Sequence, residues 1–254
     1  MQTPVCLTGE CKLVDVGIYW DCTGDFFGIE IYGEHLTKTD HSVFTSEDYK
    51  RLVQILKNDW SLLREYELDG LVDNPQSDEI DGLSGATKTE IASETVENAV
   101  FSTYTIWHLV HLGEKEQLID LTLRQLKNEK LAYETLIENE NDKYRYFILS
   151  LLSQGKIAHT PQLDSLVLEG LRTKENTLVK KLSYQCLFKI NLDRNAQLDL
   201  IPIYSNSSMV NKIKILSAFD STIVVEPELQ QVFLGDLNTN NEWLFNKLQH
   251  VLGK

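Results

Sequence analysis

The chain has 254 residues, of which 42% are hydrophobic, and it carries a formal net charge of -14 with a pI near 4.8. This composition is typical of a packed globular protein with one large domain or two ordinary ones. Because an acidic surface repels phosphate, we expect neither nucleic acid nor an anionic membrane as a partner. No apolar run approaches the roughly 18 to 20 residues that span a bilayer, and residues 1–6 lack the charged and apolar order of a signal peptide.

Three of the four cysteines fall within the first 22 residues, as Cys6, Cys11 and Cys22, and the fourth is Cys186. The early cluster is compatible with a disulfide, with inert small side chains or with a metal site. A disulfide is the favoured interpretation. Zinc is the least favoured, since no matching His/Cys pair follows at finger spacing. A disulfide would indicate an oxidising compartment.

A β-hairpin is predicted near the N-terminus, with β-branched and aromatic runs at 13–20 and 26–32 and a turn between them. The polar stretch 33–45 then leads to a helix whose predicted N-cap is Ser46. The predicted apolar stripe of this helix consists of Tyr49, Leu52, Val53, Leu56, Trp60 and Leu63.

A second helix is predicted from about residue 88 to residue 110, after a segment 71–80 that is interpreted as a loop or short strand. Its apolar residues recur at intervals of three and four, so one face is expected to be buried. These residues are Ala92, Val96, Ala99, Thr103, Ile106, Trp107 and Val110.

After Gly113 the pattern becomes a series of amphipathic segments separated by polar breaks. Helices are predicted near 114–127, 129–139, 142–154, 161–173, 175–190, 193–204, 208–219, 226–236 and 241–252. Such short helices cannot bury an apolar face alone, so an α-solenoid of the HEAT kind is predicted, with an irregular helical bundle as the alternative. We therefore expect an α+β domain at 1–112 and an all-α domain at 113–254.

The motif that carries chemistry lies at residues 81–87, Asp-Gly-Leu-Ser-Gly-Ala-Thr. It resembles the flavin attachment motif of FMN-binding domains, which occur in the C subunit of the sodium-translocating NADH:quinone reductase and the G subunit of the Rnf complex. The fixed positions of the family pattern are met by Asp81, Ser84, Gly85, Ala86 and Thr87. The resemblance implies that a flavin transferase uses FAD to esterify Thr87 with the phosphate of FMN, and that the transferase recognises Asp81.

The resemblance covers about residues 12–110, although its other matches are looser than the motif. The predicted hairpin is similar to the hairpin of the family. The segment 36–39, Leu-Thr-Lys-Thr, is similar to the family's Glu-Thr-Pro-Gly segment near the flavin, from which only Thr37 is retained. The resemblance therefore implies an FMN-binding-like domain in the first half, with Thr37 close to the cofactor.

Elementary chemistry also favours an anion at the predicted start of the second helix. Free backbone N–H groups and the positive end of the helix dipole hold phosphate there, and the small residues Gly85 and Ala86 let a bulky group approach. The alternative is that Ser84 or Thr87 serves only as the N-cap of that helix.

The histidines and Trp107 are not expected to form a second functional site. His41 is expected on the surface, and His108 and His111 are expected to interact with the negative end of the helix dipole rather than to bind a metal. Trp107 is expected in the core rather than against a flavin, because it continues the buried stripe.

These inferences favour an extracytoplasmic, periplasmic electron-transfer flavoprotein, in which FMN on Thr87 carries electrons and the helical repeats bind a redox partner protein. We expect an electron carrier more than a stand-alone enzyme. The alternative is a non-enzymatic protein-binding scaffold with a vestigial flavin domain, because solenoids commonly bind proteins. A hydrolytic enzyme is disfavoured, since no Gly-x-Ser-x-Gly or His-Glu-x-x-His motif occurs.

Overall fold

The computed structural model describes residues 2–4, 13–73, 86–111, 114–128, 135–138, 141–219 and 222–253. The chain divides into two compact units, Met1–Thr122 and Leu123–Lys254, and each has a hydrophobic core of its own. The division falls inside the helix Glu114–Asn128 and so lies beyond the boundary predicted after residue 112.

Three antiparallel strands form one sheet of the first unit, in the order β1 (Gln2–Pro4), β2 (Leu13–Trp20) and β3 (Phe26–Ile31). The predicted hairpin is confirmed as β2 and β3, in which Val16 lies opposite Ile31. Asp21 fixes the turn, because its Oδ1 accepts hydrogen bonds from the backbone and the hydroxyl of Thr23 at 2.9 and 2.6 Å. Gly24 completes the turn with a φ of +78°, which favours glycine.

Helix α1 spans Ser46–Leu56, and its N-cap is Thr45 rather than the predicted Ser46. The Asp48 N–H donates to the Thr45 hydroxyl at 3.3 Å, and the Thr45 N–H donates to the Asp48 carboxylate at 2.8 Å. This reciprocal capping box needs a side-chain acceptor three positions after the cap. Thr45 has Asp48 at that distance, whereas Ser46 has Tyr49, so the cap lies one residue earlier than expected.

The apolar stripe predicted for α1 runs past the end of the helix. The helix stops at Leu56, and a 3₁₀ turn at Leu62–Glu65 follows. Leu63 in that turn is buried, but Trp60 is 88% exposed, so its placement in the buried stripe is wrong. The Asn58 side chain accepts the Trp60 N–H at 3.1 Å, and this local bond replaces the helical hydrogen-bond ladder.

Helix α2 spans Val100–His111, so the prediction of a helix from residue 88 is wrong. Asn98 prevents the longer helix because it adopts a left-handed φ of +57°. Its carbonyl accepts the backbone N–H and the hydroxyl of Thr39, at 2.7 and 3.1 Å, instead of a helical partner. Ala92 is exposed, so its placement in the buried stripe is wrong, whereas Val96 and Ala99 are buried although they precede the helix.

A second antiparallel sheet in the first unit pairs β4 (Val72–Asp73) with β5 (Ala86–Thr87). Strand β4 belongs to the segment 71–80, whose remaining residues 74–80 lie outside the described part of the chain. Helix α1 packs against both α2 and β3, and the core of the unit lies between these elements. The first unit is therefore an α+β structure, as the sequence predicted.

The helices that follow are α3 (Glu114–Asn128), α4 (Asp142–Ser153), α5 (Pro161–Arg172), α6 (Thr177–Cys186), α7 (Arg194–Ser205), α8 (Met209–Leu216), α9 (Pro227–Gly235) and α10 (Glu242–Leu252). Each corresponds to a helix predicted from the sequence. The helix predicted at 129–139 lies mostly outside the described residues, of which 135–138 are helical. The helical character of the second half is therefore confirmed.

Contacts between the helices of the second unit follow a regular pattern. Each helix packs against the next but one, so that α4 contacts α6, α5 contacts α7, α6 contacts α8, α7 contacts α9 and α8 contacts α10. The helices α4, α6, α8 and α10 form what we call the even layer, and α5, α7 and α9 form the odd layer. Within the described residues, no helix combines the length and apolarity needed to cross a membrane.

Gly170 in α5 permits a close approach to α6. A Cβ added to Gly170 would lie 2.0 Å from Ser183 Oγ and 3.2 Å from Val179 Cγ1. Alanine is favoured over glycine in a helix by about 1 kcal/mol, but overpacking costs about 1 to 3 kcal/mol. We therefore expect Gly170→Ala to lower the free energy of unfolding by roughly 1 kcal/mol or more in urea denaturation.

The matched control is Gly235→Ala at the last position of α9, where an added Cβ meets no atom within 4 Å. This variant is expected to be as stable as the parent chain or more so. A Gly170→Ala variant as stable as Gly235→Ala would contradict the close packing of α5 on α6.

Candidate functional site

The motif predicted to carry the flavin lies only partly within the described residues. Asp81, Ser84 and Gly85 fall outside them, and Ala86 and Thr87 form strand β5. Thr87 lies opposite Val72 and is half-buried. Since α2 begins at Val100, Thr87 is neither at the start of a helix nor its N-cap. The expectation that a helix dipole holds a phosphate at Thr87 is therefore wrong.

The surroundings of Thr87 combine a cation with an anchored aromatic ring. The neighbouring Lys88 places its Nζ 5.2 Å from the centre of the Tyr66 ring. The Tyr66 hydroxyl donates to Glu90 at 2.7 Å, which raises the pKa of that phenol. The Tyr104 hydroxyl in turn donates to the Tyr66 carbonyl at 2.9 Å, and this bond ties the group to helix α2.

Thr37 contacts α2 at a different position from the group around Thr87. Its carbonyl accepts the Ser102 hydroxyl at 3.4 Å, and its backbone forms an isolated bridge with Val43. Ser102 and Tyr104 are two residues apart in the helix, which turns them about 200° away from each other around its axis. Thr37 and the group around Thr87 are therefore tied to different sides of α2, and these contacts do not bring the two predicted site residues together.

Thr37 also lines a pocket of about 300 Å³ between β2 and the segment 33–37. Leu13, Asp15, Gly33 and His35 contribute to the same lining. The volume lies at the lower end of the range that small-molecule sites occupy in proteins. The position of Thr37 is thus compatible with ligand contact.

A larger cleft, of about 500 Å³, lies beside the C-terminal end of α2. Its lining includes Trp20, Phe26, Asp59, Trp60, His111 and Lys115. We refer to it as the His111 cleft. No local sequence pattern predicts this cleft, because its residues come from the β2–β3 hairpin, the chain after α1, the end of α2 and the start of α3.

His111 is the buried polar group of this cleft. Its ring stacks on Trp107, with centroids 4.6 Å apart and an interplanar angle of 13°, and its side chain is 8% exposed. Nδ1 lies 2.9 Å from the Trp107 carbonyl, so it carries the proton and donates it. Burial lowers the pKa of His111, against opposing effects of the Trp107 carbonyl and of Asp59. The ring is therefore neutral near pH 7.

Nε2 of His111 has no hydrogen-bond partner among the described residues, although Asp59 Oδ1 lies 3.5 Å away. Lys115 forms an ion pair with that carboxylate. Its Nζ lies 2.5 Å from Asp25 and 3.3 Å from Asp59. Burial opposes the lysine charge, but these two carboxylates raise the pKa of Lys115 overall. Asp59 thus stands between a neutral histidine and a charged lysine.

The other predicted features have mixed outcomes. Trp107 is 1% exposed, which confirms that it belongs to the core. No group of three potential metal ligands exists among the described residues. Cys6 and Cys11 lie outside those residues. Cys186 is a buried thiol that donates to the Leu149 carbonyl at 3.3 Å, and burial raises its pKa to about 11, so it is an unreactive core residue.

Comparison of the chain with protein-family models, curated proteins and solved structures found no match.

The lowered pKa of His111 predicts a specific dependence of stability on pH. In the unfolded chain, histidine takes up a proton as the pH falls through about 6.5. The folded chain resists that proton at His111, so proton uptake favours unfolding. We expect the free energy of unfolding to decrease as the pH is lowered from neutral towards the folded pKa of His111. The variant His111→Gln should reduce this dependence of the unfolding free energy on pH.

The matched control is His108→Gln, which removes the exposed histidine of the preceding helical turn. Urea denaturation of the three proteins at several pH values between neutral and mildly acidic conditions compares the slopes. An equal slope in His111→Gln and the parent chain would show that His111 accepts a proton as readily when folded as when unfolded.

Proposed function

We propose that this chain is an electron-transfer flavoprotein that carries FMN covalently, through a phosphoester to Thr87. The observation that carries the proposal is the motif, because Asp81, Ser84, Gly85, Ala86 and Thr87 meet every fixed position of the flavin attachment pattern. Five matched positions in seven residues are more specific than a short Ser-Gly-Ala-Thr sequence alone.

The described residues fit a phosphate-linked group at this position. Thr87 is half-buried, so its side chain is partly open to an enzyme that would modify it. The pairing of β5 with β4 holds the Thr87 backbone in place, and Lys88 supplies a positive charge one residue away. We assign the stabilisation of the phosphate charge to Lys88, because α2 does not begin at Thr87.

Each motif residue has a distinct role in the proposal. The Thr87 oxygen forms the ester with the FMN phosphate while the pyrophosphate bond of FAD breaks, the hydroxyl proton is lost and AMP leaves. Asp81 is recognised by the flavin transferase, and the small residues Ser84, Gly85 and Ala86 leave room for the cofactor. The bound flavin would supply the redox chemistry, while the protein fixes its position and its electrostatic surroundings. The first unit is in this view an FMN-binding-like domain, with Thr37 as a further contact.

The second unit is assigned to recognition of a redox partner. Its two layers of helices, in which each helix packs on the next but one, support an α-solenoid of the HEAT kind. We place the protein in the periplasm or another extracytoplasmic compartment, because covalent attachment prevents cofactor loss there. A disulfide between the early cysteines Cys6 and Cys11 would agree with the same location.

A protein-binding scaffold with a vestigial flavin domain is the second candidate function. The observation that favours it is the concentration of exposed apolar side chains, among them Leu178, Val210 and Trp243, in the even layer. A scaffold needs this surface and not the motif. The two candidates therefore differ in the modification of Thr87.

The test is the intact mass of the chain produced together with an active flavin transferase and FAD. We expect an added mass of FMN less one water, located on the peptide that contains Thr87. Thr87→Ala is expected to abolish the addition, because it removes the hydroxyl that forms the ester. The substitution should cost less than about 1 kcal/mol in stability, as the residue is half-buried in a two-residue strand.

Two control variants make the result specific. Thr87→Ser keeps a hydroxyl at the same position and should still be modified, and Thr89→Ala removes a nearby exposed hydroxyl and should not affect modification. An unmodified parent chain, with the transferase shown to act on a known substrate, would reject the flavoprotein proposal. Modification that persists in Thr87→Ala would reject the assignment of the residue.

A further inference from the structure

The charge of the chain is distributed unequally between its two units. Residues 1–122 contain 8 Lys and Arg and 23 Asp and Glu, whereas residues 123–254 contain 16 and 15. The first unit therefore has a formal charge of -15 and the second of +1, which together give the -14 of the chain. A field of one sign around the first unit attracts basic surfaces and repels acidic ones.

The two helix layers of the second unit also differ in charge. The helices of the even layer contain 7 Lys and Arg and 2 Asp and Glu, whereas those of the odd layer contain 2 and 4. Lys181 and Lys214 are exposed, and the described residues place no carboxylate in ion-pair contact with either. Lys212 is balanced by Asp236 at 2.7 Å. The even layer is therefore the more basic of the two layers, and its exposed cations are Lys181 and Lys214.

The even layer also holds the exposed apolar side chains of helices α4 to α10. These are Tyr146 (42% exposed), Leu178 (59%), Met209 (44%), Val210 (64%) and Trp243 (78%). Helices α5, α7 and α9, which are described throughout, expose no large apolar side chain. Two further exposed apolar side chains of the second unit, Phe188 and Val224, lie between the helices. Exposed apolar side chains that are concentrated in one layer usually mark a binding surface.

The positions of these side chains within their helices add a further electrostatic preference. Leu178, Met209, Val210 and Trp243 all lie in the first two residues of α6, α8 or α10. A helix N-terminus carries a partial positive charge of about half a unit. The helix N-termini and the lysines therefore both favour an acidic partner. The exposed apolar side chains favour a partner that also presents apolar side chains.

The first unit contains a segment with this composition at residues 59–69. Its four acidic residues are all exposed, namely Asp59, Glu65, Glu67 and Asp69, and Asp59 is already paired with Lys115. Arg64 is the single basic residue of the segment. Among the apolar residues, Trp60 is 88% exposed and Leu62 is 50% exposed. The segment therefore complements the even layer both in charge and in apolar surface.

We propose that the even layer of one copy of this chain binds the segment 59–69 of a second copy, so that copies associate head to tail. A symmetric contact between two even layers would also bury the apolar side chains. It would, however, oppose two basic faces, and like charges across an interface are repulsive. The contact between unlike surfaces avoids that repulsion, and it extends to further copies unless the assembly closes into a ring.

Sedimentation velocity of the full chain over a range of protein concentrations tests this proposal. We expect association that increases with concentration at low ionic strength and decreases as salt is added. Lys181→Glu combined with Lys214→Glu should raise the dissociation constant about tenfold or more, because two unbalanced cations become repulsive to the acidic segment. Trp60→Ala should also weaken association, since it removes an exposed anchor.

The matched control is Lys156→Glu combined with Lys174→Glu, which makes the same change in net charge at exposed positions between helices. This control should associate like the parent chain. Adding Glu65→Lys and Glu67→Lys to the Lys181→Glu, Lys214→Glu variant should restore association, because opposite charges then face each other again. Circular dichroism melting establishes that every variant is folded.

A chain that stays monomeric at every concentration would overturn the proposal. So would equal association of the Lys181→Glu, Lys214→Glu variant and the control. The outcome is independent of flavin attachment, because none of the substituted residues belongs to the motif, and the intact mass of each variant verifies this.

Discussion

The hydrogen bonds that the Asn98 carbonyl accepts from Thr39 fix the point at which α2 begins. From Val100 onward most of the helix packs into the core, so the polar side chains on its buried faces need partners inside the protein. Thr103 accepts the Val96 N–H at 3.2 Å, and Ser102 and Tyr104 reach carbonyls on different sides of the helix. A single buried helix thereby positions the Thr37 loop, the chain around Thr87 and the His111 cleft.

Local patterns in the sequence were sufficient wherever one segment determines its own structure. The β2–β3 hairpin and the helices α4 to α10 agree with the prediction, because periodicity and turn residues set them. The start of α2 was missed since Ala92, Val96 and Ala99 have helical spacing but precede the helix, which begins at Val100. The conformation of Asn98 depends on a contact with Thr39, which no local pattern records.

The motif at 81–87 and the His111 cleft also differ in how far the sequence predicts them. The motif at 81–87 is contiguous and can be read directly from the sequence. The His111 cleft cannot, because Asp25, Asp59 and Lys115 are distant in the chain and meet only after folding. Histidine at the end of a helix indicated no more than an interaction with the helix dipole. Its stacking on Trp107 and its position beside a carboxylate are tertiary facts.

Under the proposed function, cofactor retention and partner recognition would have separate physical origins. A phosphoester keeps the flavin in place whatever the free cofactor concentration, so the first unit would not need a deep pocket to hold it. Recognition would then depend on the even layer, where apolar burial supplies most of the binding free energy and the lysines select acidic partners. Salt weakens the charge contribution far more than the apolar one. A rise in the ionic strength of the compartment would therefore weaken the binding of acidic partners at this surface and leave the apolar contribution largely unchanged.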